Sequence, residues 1–234
     1  MKWSVLFPGW ENSRIDEYRW IDDHVNSSKH HFVKIGNPNT SDLTNPHARK
    51  SPGSSLMDWY QYYLHAGEAL KSDADGVITV FPQLAVMVGL RNFFRFNRKK
   101  HIAWCFNIEK PYKGIKGILA RIALARVDRF VVHSKGEIDI IHKWLSCAEK
   151  NVVFFHLQRK TITRTTPQST TPLILSMGSS RRDYRTFLDA VEGLNTEIIV
   201  ISNPKALEEI KIPSNVKVLS DISRHKIANW GRGR

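Results

Sequence analysis

The hydrophobic pattern of this chain alternates between short continuous apolar runs and helical repeats. Residues 3–7 form a first apolar run, closed by Pro8-Gly9, and residues 29–35 a second. Between them, residues 14–25 carry a helical pattern entered through Asn12-Ser13, residue types that favour a helix start. Residues 76–81 are rich in β-branched side chains and end at Pro82; runs at 101–106, 128–133 and 151–155 continue the series. Helical stretches separate them at 55–71, from Gln83 onward, at 113–127 and at 135–145. Short strands alternating with helices predict a parallel sheet with crossover helices.

Two polar stretches interrupt this rhythm. Residues 36–55, rich in Asn, Pro, Ser, Thr and Gly, predict an exposed loop long enough for a substrate-side role. Residues 157–171 are Thr-rich and aperiodic, and they mark a linker between a domain at 1–156 and a second at 172–234. Beyond the linker come a strand at 172–177, a helix at 183–194, a strand at 197–201, a short helix at 204–210 and a strand at 216–219. That stretch is shorter than a complete doubly wound domain requires. The expected fold is therefore α/β, with two Rossmann-like domains on separate sheets, the second incomplete.

Two side-chain clusters need a reading. Trp59, Tyr60, Tyr62 and Tyr63 crowd one helix; core packing is the expectation, with a sugar-stacking platform as the alternative. In 113–127, Ile115, Ile118, Leu119, Ile122, Ala123 and Val127 make one apolar stripe, flanked by Lys110, Lys113, Lys116, Arg121, Arg126 and Arg129. The stripe is expected to pack on the sheet, while the cationic flank suits a peripheral contact with an anionic membrane.

Charge widens the range of partners. The 234 residues carry 35 Lys and Arg against 22 Asp and Glu, a net charge of +13. Such a surface favours polyanions: nucleic acid, acidic headgroups or phosphorylated substrates. Hydrophobic residues make up 41%, and no run approaches the ~20 apolar residues of a membrane span. The brief N-terminal apolar run reads as a strand rather than a secretory signal. Cys105 and Cys147 lack any disulfide or zinc spacing, so free thiols in the cytoplasm are expected.

The candidate chemistry sits at residues 172–188. A short apolar run meets Gly178, Ser179 and Ser180, and a helical pattern follows, with Phe187, Leu188, Val191 and Leu194 at helical spacing. A strand–turn–helix unit can point backbone N–H groups and a helix N-terminus at a phosphate. Arg181 and Arg182 add guanidinium groups that fork onto a diphosphate. The dinucleotide fingerprint Gly-x-Gly-x-x-Gly and the Gly-Lys-Ser/Thr phosphate loop are both absent.

Two passages resemble the GT-B glycosyltransferases, specifically the retaining family-4 group that uses nucleotide-sugars. Residues 120–137, Ala-Arg-Ile-Ala-Leu-Ala-Arg-Val-Asp-Arg-Phe-Val-Val-His-Ser-Lys-Gly-Glu, are similar to that family's helix, Ala-Asp-Arg, strand, Ser-x-x-Glu passage. Residues 176–190 resemble the opening of its donor domain. The resemblance implies sugar transfer from a nucleoside-diphosphate sugar to a glycan, lipid-linked or small-molecule acceptor, with no other cofactor, no metal and no nucleic-acid partner. It implies a donor diphosphate at Gly178, Ser179, Arg181 and Arg182, in a cleft between the domains. On the acceptor side it implies Gly9, Asn107 and Glu137, the last as a cap near the cleft. Ser179 stands where many members have a further Arg. The family's later Glu-x7-Glu region has no counterpart here, so a truncated, impaired enzyme is expected.

The competing expectation is a non-catalytic protein that binds nucleic acid or another polyanion. Its support is the basic segment 91–101 with Phe93, Phe94 and Phe96; the helix–strand rhythm instead places these aromatics in a core.

Overall fold

The structure, a computed structural model, describes residues 1–17, 28–38, 55–96, 98–108, 111–147, 151–157, 172–178, 182–202 and 204–220. Most of the helix expected at 14–25, most of the loop at 36–55, nearly all of the 157–171 linker, and Ser179, Ser180 and Arg181 lie outside the described residues.

The first sheet is built from β1 (Lys2–Glu11), β2 (His31–Asn37), β3 (Gly76–Val80), β4 (Lys100–Trp104), β5 (Arg129–Val132) and β6 (Val152–Phe154). Its strand order is β2-β1-β3-β4-β5-β6 and every pairing is parallel. Parallel neighbours require crossovers, supplied by α1 (Leu56–Lys71), α2 (Pro82–Phe93), α3 (Gly114–Leu124) and α4 (Gly136–Leu145). Successive side chains of a strand point to opposite faces. Leu6 and Val77 accordingly join α1 and α2 in one core cluster, while Trp3, Val5 and Ile78 form another. Every residue of β3 is buried, as in a strand covered on both faces.

The second unit has its own sheet. The chain divides into compact units at Met1–Gln158 and Arg159–Arg234. In the latter, β7 (Leu173–Met177), β8 (Glu197–Ile201) and β9 (Val216–Leu219) pair in parallel and in order. Helix α5 (Tyr184–Val191) closes the core with Tyr184, Leu188 and Val191 over Ile198, Val200 and Val216. The expected α/β architecture on two separate parallel sheets is what the structure has.

Four local expectations need correction. Pro8-Gly9 does not end β1, which runs on to Glu11. The register against β2 shifts between Leu6 and Glu11 instead; a proline lacks the N–H for a regular ladder and is accommodated at an irregularity. Residues Asn12–Glu17 form a 3₁₀ helix. In α1, Tyr62 is buried with Trp59 edge-on at 6.2 Å, but Tyr60 and Tyr63 are exposed. Phe93, Phe94 and Phe96 are exposed, not core; Phe94 stands at 77%.

The largest correction is in α3. Its buried residues are Gly117, Ala120, Ala123 and Leu124. Ile115, Ile118, Leu119 and Ile122 are exposed at 77, 51, 52 and 41%. The physical cause is the close crossing of α2 and α3. A Cβ built on Gly89 would stand 2.2 Å from the Ala123 carbonyl oxygen, so only small side chains fit at the contact. Gly89→Val is therefore expected to cost about 1–3 kcal/mol by overpacking, read as a lower urea midpoint; an unchanged midpoint would mean the helices can part freely.

Two core histidines set a pH dependence. His65 Nε2 donates to the Ile35 carbonyl at 2.7 Å, and His101 Nε2 meets the Thr79 hydroxyl at 3.0 Å. Each leaves a buried Nδ1 without a partner among the described residues. Burial pushes His65 down to about 4 and His101 down to about 3. Unfolded imidazoles take up protons below ~6.5 that the native state refuses, so stability falls as pH drops below that value. The slope is about 1.4 kcal/mol per pH unit for each histidine, until the native values are reached. Urea unfolding at pH 7 and pH 5 should show this loss, and His101→Gln should reduce it by about half, the His65 share remaining. A wild-type profile flat across that window would contradict it.

Candidate functional site

Parallel strands send all their carboxyl ends to one edge, and ligands of open α/β sheets bind outside that edge. In the first unit this edge is aromatic. Phe7 after the regular part of β1 lies 5.4 Å from Phe81 after β3, ring centre to ring centre. Trp104, ending β4, lies 6.0 Å from His133 and 5.9 Å from Phe155, which follow β5 and β6. Phe81 adopts φ +73°, and its N–H donates to the Trp104 carbonyl at 3.1 Å. The conformation thus stitches neighbouring strand ends together.

Beside this row lies a cavity of about 150 Å³, lined by Cys105, Asn107, His133, Ser134 and Glu137. Its size is below the roughly 300–1,000 Å³ of a complete small-molecule pocket, so it suits one group of a larger ligand. Cys105 holds φ +51° at the end of β4, and the Phe106 N–H then bonds the Val131 carbonyl at 3.1 Å. This turn carries Asn107 out to solvent.

Glu137, in the first turn of α4, accepts the Ser134 N–H at 3.2 Å. Helix α4 has no side-chain bond at its N-cap, Lys135, so this carboxylate satisfies an otherwise orphan donor. Burial, reinforced by the Glu137 charge, pushes the Cys105 thiol up. A protonated thiol is a poor nucleophile, so Cys105 shapes the cavity rather than attacking a substrate.

His133 was not singled out by the sequence, although its place just after a parallel strand was a usable signal. Its Nδ1 is 2.6 Å from the Phe155 carbonyl oxygen. A carbonyl can only accept, so Nδ1 carries the proton and Nε2 of the neutral ring is an acceptor. That Nε2 is buried and has no partner among the described residues. Asn107 and Glu137 thus share one cavity with a histidine that has accepting capacity to spare. Gly9, near the end of β1 and exposed, is not among the lining residues.

The second unit presents the other candidate residues. Gly178 follows β7 at φ +140°, and its N–H closes the ladder on the Ile201 carbonyl at 3.1 Å. Its carbonyl accepts from the Tyr184 hydroxyl and, at 3.0 Å, from the Ser202 hydroxyl. The Gly178 N–H is therefore engaged within the sheet. What the glycine provides is room: a Cβ there would stand 2.8 Å from Arg182 Nε. Arg182 is exposed and forms no hydrogen bond or ion pair with a described residue. Asp183 caps α5 by accepting the Thr186 N–H at 3.1 Å, and bonds to Thr186 hold its carboxyl below the usual range. This negative charge would oppose a phosphate at the helix start; Arg185 acts on it, and Arg182 precedes it in the chain. Among the described residues, no group of three or more His, Cys, Asp or Glu could hold a metal ion.

No protein-family model matches this chain, and no curated protein matches it in sequence. Among solved structures it is similar to the apo form of the lipopolysaccharide outer core galactosyltransferase WaaB. The identity is 11%, over 99% of this chain and 70% of that one, with TM-score 0.51. It is also similar to UDP-N-acetylglucosamine 2-epimerase from Rickettsia bellii, at 12% identity over 98% of this chain and 71% of that one, TM-score 0.48. Glycosyltransferase SnogD from Streptomyces nogalater gives 10% identity over 94% and 71%, with TM-score 0.38. The likeness to WaaB shows the fold alone: α/β units of the Rossmann-like kind, each with its own parallel sheet.

The cavity makes a prediction about its thiol. Glu137→Gln keeps an acceptor for the Ser134 N–H but removes the charge. Alkylation of Cys105 should then set in at lower pH than in wild type, followed by mass spectrometry of the labelled residue. Identical pH profiles would show that Glu137 does not act on Cys105.

Proposed function

We propose that this chain is a glycosyltransferase that moves a sugar from a nucleoside-diphosphate sugar to a hydroxyl of a glycan or lipid-linked acceptor in the cytoplasm. The observation that carries the reading is the cavity at the carboxyl edge of the first sheet, with His133 Nε2 buried and unpartnered among the described residues. An acceptor hydroxyl can donate to that nitrogen, and the Phe155 carbonyl holds the imidazole in the tautomer this requires. Asn107 offers both a donor and an acceptor to neighbouring hydroxyls. The exposed aromatic faces of Phe81 and Phe155 offer apolar surface to the flat side of a sugar ring.

The donor half belongs to the second unit in this reading. Departure of the nucleotide leaves charge on its diphosphate, and a fixed cation stabilises that charge as it develops. Arg182 supplies the cation, and Gly178 leaves the space through which its side chain passes. Ser179 and Arg181 complete the turn in sequence. Retention of anomeric configuration follows from the family-4 resemblance and is part of the proposal; no step requires a metal.

The expected outcome of Arg182→Ala is a ten- to hundredfold weaker binding of uridine or guanosine diphosphate by calorimetry. This corresponds to one charge-assisted hydrogen bond of roughly 1.5–3 kcal/mol. Unchanged affinity would remove this arginine from the site. The second reading, a polyanion binder, draws on the exposed Phe93, Phe94 and Phe96 among Arg91, Arg95 and Arg98. Salt-sensitive oligonucleotide binding with no saturable nucleotide binding would favour it.

A further inference from the structure

The exposed face of α3, with the neighbouring end of α2, is the largest feature that the transfer reaction leaves unused. Helix α3 has two apolar sides. Gly117, Ala120, Ala123 and Leu124 face the core, and Ile115, Ile118, Leu119 and Ile122 face solvent on the opposite side. At 3.6 residues per turn, Arg121 falls on one border of the exposed aliphatic strip, and Lys116 is exposed in the first turn beside Ile115. Phe93 and Phe94 are also exposed at the end of α2, and the Arg126 guanidinium, two residues past the end of α3, lies 5.1 Å from the Phe93 ring centre.

Charge narrows the choice of occupant. Residues 76–127 contain no Asp or Glu other than Glu109. The ion pair of Arg98 with Asp128 uses one cation of this region. Lys116, Arg121 and Arg126 are exposed and form no ion pair among the described residues. A second copy of the chain would bring the same positive charge against itself. Nucleic acid would satisfy the cations and could stack on Phe93 and Phe94, but it would leave the four aliphatic side chains, which offer its bases neither a stacking platform nor a hydrogen bond, exposed to water. An anionic bilayer satisfies both: its headgroups meet the cations and its acyl boundary takes the aliphatic strip.

We infer that this face docks the protein on the surface of an anionic membrane, with α3 lying in the plane of the headgroups and Ile115, Ile118, Leu119 and Ile122 inserted. Phe93 and Phe94 extend the inserted surface at the Arg126 end. Docking needs neither donor nor acceptor, so it stands or falls apart from the transfer reaction.

Co-sedimentation of the full chain with vesicles tests it. Binding is expected to phosphatidylcholine vesicles containing phosphatidylglycerol, to weaken as salt rises, and to be much weaker on phosphatidylcholine alone. Replacing Lys113, Lys116 and Arg121 by serine should lower partitioning about fivefold per charge. Replacing Ile118 and Leu119 by serine should lower it about tenfold or more. These side chains are exposed, and unchanged circular dichroism and thermal unfolding would confirm that the fold is intact. Equal binding to both vesicle types would overturn the inference. So would a serine-substituted strip that binds like wild type, which would reassign the face to a polyanion such as an oligonucleotide. A dimer dissociated by the same substitutions, without vesicle binding, would reassign it to a second copy.

Discussion

The constraint on which the rest of this structure depends is that every strand of each sheet runs the same way. Parallel pairing forces each connection to cross over the sheet and return, which buries the central strands on both faces. It also gathers all the carboxyl ends on one side. Cys105, His133, Ser134 and Glu137 are far apart in sequence only in the sense that a helix intervenes. The pairing of β4 with β5 brings them to one cavity. The same burial makes polar residues within the strands costly, and the structure answers with a bond between Thr79 and His101 across β3 and β4.

Much of this architecture was legible because its signals are local. The β-branched run closed by Pro82 gives a strand end and a helix start directly, and in the structure Ser55 and Asp58 form a reciprocal cap at the start of α1. β1 was less legible, since a proline ordinarily ends a strand and here sits in a register shift. His133 was missed for a different reason. Its sequence neighbours are an apolar strand, and nothing local reveals that the Phe155 carbonyl, from another strand, will fix its tautomer.

Helix α3 shows where periodicity stops being informative. A hydrophobic stripe identifies a helix face but not which of two faces meets the core. At a helix crossing, the decisive quantity is how closely the backbones approach, and Gly89 against Ala123 demands small residues there. The large aliphatics are then left outside, exposed at 41–77%. The same geometry explains the exposed phenylalanines at the end of α2, which lie past the crossing.

Two kinds of positive charge follow from this layout, and they do different things. Between Arg91 and Arg126 stand ten Lys or Arg against a single Glu, a broad field that selects for negatively charged surfaces without reading their shape. At the Gly178 turn the field is local and contested, because Asp183, next in sequence to Arg182, is held ionised by its bonds to Thr186 and by Arg185. A guanidinium next to a carboxylate is a weak trap for a generic anion. It becomes effective toward a group that can accept a forked pair of hydrogen bonds while its remaining charge is met elsewhere, which a diphosphate can do and a chloride cannot. The net charge of the chain therefore speaks about the surface it approaches, and the arrangement at one turn about the molecule it would bind.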